Sequence, residues 1–274
     1  MLIRSLVIAV ALVTCAIPPR ILGAASAVWS LETIDCPLRG RTLTLTIYHP
    51  VGTPKGTIFM GSGDVGWVGL GVTMSAFLAD RGYRVVGVNT RQYLSVFTIG
   101  KQHLTVDDIP RDFAAIRTLL ESRHLMSRPT IFSGVSEGAA IAVLAASSKE
   151  NHAWVDGVVT MGVPMVAELA WRWKDAVTWF TKADANEPSF SALDFVARVS
   201  PLPLVMIQST RDEYVSAADY RKFEATAQSP RKLVLIDASN HRFTDRQEQL
   251  RIEMLSALSW IKASGPGRGK VSDK

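Results

Sequence analysis

From Trp29 to Ile261 the chain alternates short apolar runs with amphipathic stretches. Trp29 to Asp35 and Arg41 to Tyr48 read as a pair of strands. In the second, Leu43, Leu45 and Ile47 alternate with Thr42, Thr44 and Thr46, the period of a strand with one wet face. Pro37-Leu38-Arg39-Gly40 is the expected turn between them. Continuous apolar runs follow at Thr57 to Met60, Tyr83 to Val88, Ile131 onward, Val155 to Gly162, Leu202 to Gln208 and Lys232 to Ile236. Runs of this length predict strands buried on both faces.

Helical patterns separate these runs. One passes through Phe77-Leu78-Ala79-Asp80 and closes at Arg81-Gly82. Another opens at Thr105-Val106-Asp107-Asp108 and carries Phe113, Ile116, Leu119 and Leu120 at helical spacing. Ala139 to Ala146 is a run of small and apolar residues. Thr244-Asp245-Arg246-Gln247 has the form of a capping box. It opens a last helix with Leu250, Met254, Leu255, Leu258 and Ile261 on one face. Strand alternating with helix predicts an α/β domain with a mostly parallel sheet covered on both sides. The stretch from Pro164 to Ser200 breaks the alternation. It holds Trp171, Trp173 and Trp179 and reads as helical inserts that cap the C-terminal edge of the sheet, or as ordinary core of a large helix.

The ends differ from the middle. Met1 to Arg4 is a short basic start, Ser5 to Ile17 is an apolar run too short to span a bilayer, and Ala25-Ser26-Ala27 resembles a signal cleavage site. Thr14-Cys15 is a weaker match to a lipoprotein cleavage site. The expected division is a signal peptide over residues 1–27, one domain over 28–262 with the cap at 164–200, and a mobile tail over 263–274 rich in Gly, Pro and Lys. Cleavage after Ala27 removes Arg4 and Arg20 and lowers the net charge from +5 to +3. It also removes Cys15, so Cys36 stands without a partner and is expected to be structural.

Composition narrows the classes. A hydrophobic content of 47% supports a substantial core, and a charged content of 20% argues against wholesale disorder. Lys and Arg are scattered with no dense basic block, which argues against a nucleic-acid partner. Attraction to an anionic membrane surface is compatible with the positive charge. No His, Cys, Asp or Glu cluster has metal-ligand spacing, and the glycine-rich stretch from Gly61 to Gly66 lacks the Lys-Ser/Thr of a phosphate loop, so neither metal nor cofactor is expected.

The candidate chemistry centres on Gly134-Val135-Ser136-Glu137-Gly138, with an apolar run before it and small residues after it. Strand, sharp turn, then helix is the context in which this motif lifts a serine hydroxyl above the sheet edge. A serine nucleophile needs a base, and the base needs an acid to hold its tautomer. Asp212 follows the apolar strand Leu204-Val205-Met206-Ile207, and His241 follows Leu233-Val234-Leu235-Ile236, so both are expected at the edge that carries Ser136. Glu213 and Asp237 are the alternative acids. Gly63 and Asp64, in the loop after the Thr57 to Met60 strand, are placed to offer N–H groups to an oxyanion together with Glu137. Trp67, Glu168, Trp171 and Trp173 are the candidate substrate contacts.

On these residues the chain resembles the α/β-hydrolase superfamily. Ser62-Gly63-Asp64-Val65-Gly66-Trp67 is similar to the S-G-D-G-G-W loop of VirJ/AcvB-type bacterial virulence proteins, and Asn240-His241-Arg242-Phe243 also fits. The resemblance implies a periplasmic serine hydrolase associated with removal of lysine from lysyl-phosphatidylglycerol and with type IV secretion. The resulting expectation is an exported hydrolase of a small-molecule or lipid ester, with a possible secretion-complex partner. A peptidase or thioesterase of the same fold and a non-catalytic periplasmic binding protein are the alternatives.

Overall fold

The computed structural model describes residues 29–172 and 187–264. The fold begins with a long hairpin, β1 (Trp29–Leu38) and β2 (Arg41–Pro50). β3 (Thr57–Gly61), α1 (Leu70–Asp80), β4 (Arg84–Val88), α2 (Thr90–Val96) and α3 (Asp108–Ser122) follow. Next come β5 (Thr130–Val135), α4 (Glu137–Ala146) and β6 (Gly157–Met161). The inserted segment contributes β7 (Val166–Glu168), β8 (Ser189–Ser191) and the short α5 (Leu193–Val196). β9 (Leu204–Ser209), α6 (Ala217–Thr226), β10 (Arg231–Ile236) and α7 (Gln247–Ser264) complete the described chain.

The main sheet has eight strands in the order β1-β2-β4-β3-β5-β6-β9-β10. β1 and β2 pair antiparallel, β2 is antiparallel to β4, and every pairing from β4 to β10 is parallel. The order folds back at β3 and then runs outward, which brings the ends of β3, β5, β6, β9 and β10 to one edge. This is the expected α/β-hydrolase arrangement.

Strand alternation divides the core in two. Phe59, Phe132, Val158, Leu204 and Met206 face α3 and α4 in one cluster. Ile58, Met60, Ile131, Val159, Met161, Val205 and Ile207 face α1 and α7 in the other. Both faces are covered, so these strands are apolar throughout instead of alternating. Phe59, Phe113, Phe132 and Trp154 lock the first cluster through edge-on or tilted contacts with centroids 5.1–6.2 Å apart. All ten residues of α4 are buried, which explains a helix with no polar face.

Several expectations shift. The β1–β2 turn is only Arg39-Gly40, because Pro37 and Leu38 still pair with Thr42 and Arg41. The short α2 and the helix α6 had no anticipated counterpart. The Thr244 capping box does not form: the Thr244 hydroxyl pairs with the Asn240 amide at 2.6 Å, and the Gln247 amide donates to the Arg242 and Phe243 carbonyls. A capping box forms instead at α6, between Ser216 and Asp219. The described ends of the insert form the β7–β8 antiparallel pair and the single turn of α5; residues 173–186 of the expected cap lie outside the described residues. Ala167, Leu169, Phe190 and Val196 join the first core cluster, so these ends are part of the domain interior. α7 runs through Ser264, two residues into the segment expected to be tail. Cys36 is buried in β1, and burial aided by nearby Asp112 pushes its thiol up to about 11, which suits a packing role.

Candidate functional site

Ser136 sits between β5 and α4 with φ 51° and ψ −120°, in the left-handed region that an L-residue enters only under constraint. The constraint is close packing. A Cβ on Gly134 would lie 2.2 Å from the Gly138 carbonyl, and one on Gly138 would lie 2.4 Å from the backbone of Gly61 and Ser62. With neither Cβ present, the chain reverses tightly enough to set Ser136 at the tip, half-buried, with its N–H donating to the Met161 carbonyl at 2.9 Å.

His241 reaches the same place from the loop after β10. It is buried, and its Nδ1 lies 2.6 Å from Asp212 Oδ2. A carboxylate accepts, so Nδ1 carries the proton and Nε2 is left with a lone pair. Nε2 is buried and has no hydrogen-bond partner among the described residues. The ring rests on Gly162, the residue after the carbonyl that holds Ser136. A Cβ there would lie 2.6 Å from His241 Cε1, and Gly162 has φ 63°, a second reason for glycine.

Asp212 is held as firmly. Its side chain has no exposed surface, and Oδ1 accepts the N–H groups of Tyr214 and Val215 at 2.8 and 2.9 Å while Oδ2 meets the imidazole. The alternative acids are engaged elsewhere. Glu213 accepts the backbone N–H of His241 at 2.8 Å, which fixes the loop and not the ring. Asp237 pairs with the Thr210 hydroxyl and with Arg211.

The loop after β3 faces Ser136. A Cβ on Gly63 would lie 3.8 Å from that of Ser136. Ser62 clasps the loop: its buried hydroxyl donates to the Gly63 carbonyl and accepts the N–H of Thr90 at the start of α2, both at 3.0 Å. The Asp64 carboxylate accepts the Val65 N–H, and Gly66 N–H closes a turn onto the Gly63 carbonyl. Among the described residues no protein acceptor engages the N–H groups of Gly63, Asp64 or Glu137.

Three acids gather beside the serine. The Glu137 carboxylate accepts the backbone N–H of Glu168 in β7. Burial pushes the Glu137 carboxyl well above the ordinary carboxylate range; the Glu168 N–H opposes the shift, and the charges of Glu168 and Asp64 add to it.

The Trp67 ring lies over Gly87, where a Cβ would come within 2.3 Å of it, and beside Tyr48 with centroids 6.3 Å apart. It is half-buried and packs against the second core cluster. Trp171 carries the Arg91 guanidinium over its ring at 4.1 Å, and its N–H donates to Thr98 Oγ1 at 3.0 Å, so it braces the insert against α2. Trp173 and Trp179 lie outside the described residues. Ser62 and Gly162 were not anticipated as parts of this architecture; Ser62 stood in the quoted loop motif, and nothing in the sequence marked Gly162.

Comparison with known proteins bears on the whole of this arrangement. The family model described as "Bacterial virulence protein (VirJ)" matches residues 56–260. No match was found among curated proteins. An esterase domain from Rhodothermus marinus is similar in structure, with TM-score 0.59, 17% identity and coverage of 85% of this chain and 98% of that one. An esterase from Pyrococcus furiosus gives TM-score 0.62, 17% identity and coverage of 89% and 96%. A dienelactone hydrolase from Anabaena variabilis gives TM-score 0.60, 15% identity and coverage of 86% and 98%. At these identities the likeness establishes the α/β-hydrolase fold.

Proposed function

Because the chain belongs to the VirJ family of bacterial virulence proteins and has the α/β-hydrolase fold, we propose that it is a serine hydrolase cleaving a carboxylic ester through an acyl-enzyme. The observation that carries this reading is the His241–Asp212 pair: Nδ1 is tied to a buried carboxylate at 2.6 Å while Nε2 is buried and unused. A base so held takes the Ser136 proton as Oγ attacks the ester carbonyl. The carbonyl oxygen becomes an oxyanion, for which the N–H of Glu137 and those of Gly63 and Asp64 are the available donors. Collapse of the tetrahedral intermediate expels the alcohol, which takes the proton from His241. Water then repeats the sequence on the acyl-enzyme and frees Ser136.

The substrate we propose carries an ammonium group on its acyl part, as an aminoacyl ester does; lysyl-phosphatidylglycerol is the member of this class that the sequence resemblance implied. Glu168 and Asp64 both stand close enough to act on the Glu137 carboxyl, and a cation beside these acids relieves that repulsion. Residues 1–27 are proposed to export the protein to the periplasm, where such lipid esters are within reach.

A fluorophosphonate probe tests the chemistry. Wild-type protein is expected to be labelled at Ser136, and Ser136→Ala to lose labelling and about three or more orders of magnitude in ester turnover with an unchanged thermal midpoint. An unlabelled wild type, or an active Ser136→Ala variant, overturns the assignment. Paired assays on lysyl and neutral acyl esters of one alcohol test the acid cluster. Glu168→Gln should lower turnover of the lysyl ester by about tenfold relative to the neutral one. Equal effects on both would remove the cationic-substrate reading and leave the esterase reading standing.

A further inference from the structure

The edge of the sheet that carries Ser136 holds a second feature. β2 is antiparallel to β4, so the β1–β2 turn lies at the C-terminal end of the parallel strands. The loop from Phe97 to Asp107, between α2 and α3, lies at the same end. Turn and loop enclose an open cleft of about 460 Å³, lined by Arg39, Arg41, Phe97, Lys101, Gln102 and His103 among others, with no acidic side chain among the described residues that line it.

The cleft is built on fixed parts. Arg39 is clamped by Asp112 through bonds of 2.9 and 2.7 Å, and its guanidinium stacks on Phe97 at 4.0 Å. Tyr93 donates to the same carboxylate at 2.7 Å, which ties the turn to α2 and α3. Opposite, Ile99 and Gln102 exchange backbone bonds of 3.1 and 2.8 Å around Gly100, so Lys101 projects from a closed turn. The adjoining Leu104 is buried, with its N–H on the Leu169 carbonyl.

Charge in this cleft is unbalanced. Asp108 and Asp112 neutralise Arg39. Arg41 and Lys101 come from separate segments, and among the described residues neither side chain has an acid within 4.0 Å or a hydrogen-bond partner. His103 Nδ1 lies 2.7 Å from the Leu104 carbonyl and donates to it, which fixes the ring at the cleft wall. Like charges lining one cleft repel, and an anion between them reverses the sign of that interaction. Arg and Lys donors around a space larger than a bare ion match a tetrahedral, multiply charged oxyanion bearing a substituent.

We propose that this cleft binds a phosphate ester, with Arg41 and Lys101 as its donors. The site is separate from Ser136, Asp212 and His241, none of which lines it, and its occupation does not depend on turnover. A phosphate ester in solution and a phospholipid head group share the recognised chemistry, and two probes separate them.

The test uses sn-glycerol 3-phosphate, with glycerol as the neutral control, and phosphatidylglycerol vesicles, with phosphatidylcholine vesicles as the neutral control. Binding is followed by calorimetry and by co-sedimentation on the full chain and on Arg41→Gln, Lys101→Gln and the double variant. Wild-type protein is expected to bind one or both phosphate probes and neither control. Each single substitution should weaken that binding by about tenfold. Binding to the soluble ester identifies a free phosphate ligand; binding to the vesicles alone identifies a head group. Failure to bind either probe, or a double variant that binds like wild type, overturns the proposal. Both residues are exposed, so the thermal midpoint of each variant should match wild type; a shifted midpoint calls for Lys101→Ala, on the exposed turn, as the deciding comparison.

Discussion

At the scale of single residues, Glu137 is the anomaly. A carboxyl directly after the serine, buried and bonded to a backbone N–H, is costly to ionise there. Its folded-state pKa is raised, so the folded protein holds this proton to higher pH than the unfolded chain does. Stability is therefore fully retained below the unfolded value of about 4.3 and falls as pH rises from there toward the raised folded value. Glu137→Gln keeps an oxygen for the Glu168 N–H and removes the titration. Thermal midpoints across pH 5 to 8 should decline more steeply for wild type than for the variant. Parallel curves would show that the carboxyl does not titrate across that range. Ser136 and His241 could be singled out from motif and chain order; Gly162 could not, because the need for it arises only when the imidazole lies on its Cα.

At the scale of elements, capping was the part that sequence pattern assigned to the wrong helix. Thr244-Asp245-Arg246-Gln247 and Ser216-Ala217-Ala218-Asp219 both offer a hydroxyl residue with a polar residue three positions on. Only the second forms the reciprocal bonds, with Ser216 Oγ accepting Asp219 N–H at 3.2 Å and the Asp219 carboxylate returning to Ser216. The first is pre-empted by Asn240, whose amide takes the Thr244 hydroxyl. Ser216→Ala should accordingly cost about 1 kcal/mol in a denaturant titration. A Ser216→Ala loss below a few tenths of a kcal/mol would mean that the α6 cap is not formed in solution. α6 itself was missed because its burial is slight: Tyr220 and Phe223 are its only buried residues, too few to show a helical period.

At the scale of the whole molecule, the domain is a sheet with two separate cores, and its first described element, β1, starts at Trp29. That start lies two residues beyond Ala27, the end of the segment expected to be removed on export. Cleavage there would leave every described element intact. N-terminal sequencing of protein recovered from the envelope should begin at or near Val28, and a retained Met1 would refute export by cleavage. The β1–β2 hairpin also acquires a purpose at this scale: its turn carries Arg39 into the Asp112 clamp and sets Arg41 across from Lys101.

What the sequence determined by itself is what depends on local order. Continuous apolar runs mark strands buried on both faces, Gly134 and Gly138 mark the tight reversal around Ser136, and the order of Ser136, Asp212 and His241 matches the order of the strands that deliver them. These follow from side-chain period and backbone sterics within a few residues. Tertiary structure decided everything that depends on which distant groups meet. It gave Asp212 and not Glu213 the imidazole, because Glu213 is taken by the His241 N–H. It laid the Trp67 ring over Gly87, which leaves room for it. It closed Ser62 onto Thr90, brought Glu137 against β7, and collected Arg41 and Lys101 around one cleft. A period along the chain records which face of an element is buried; it carries no record of the partner on the other side.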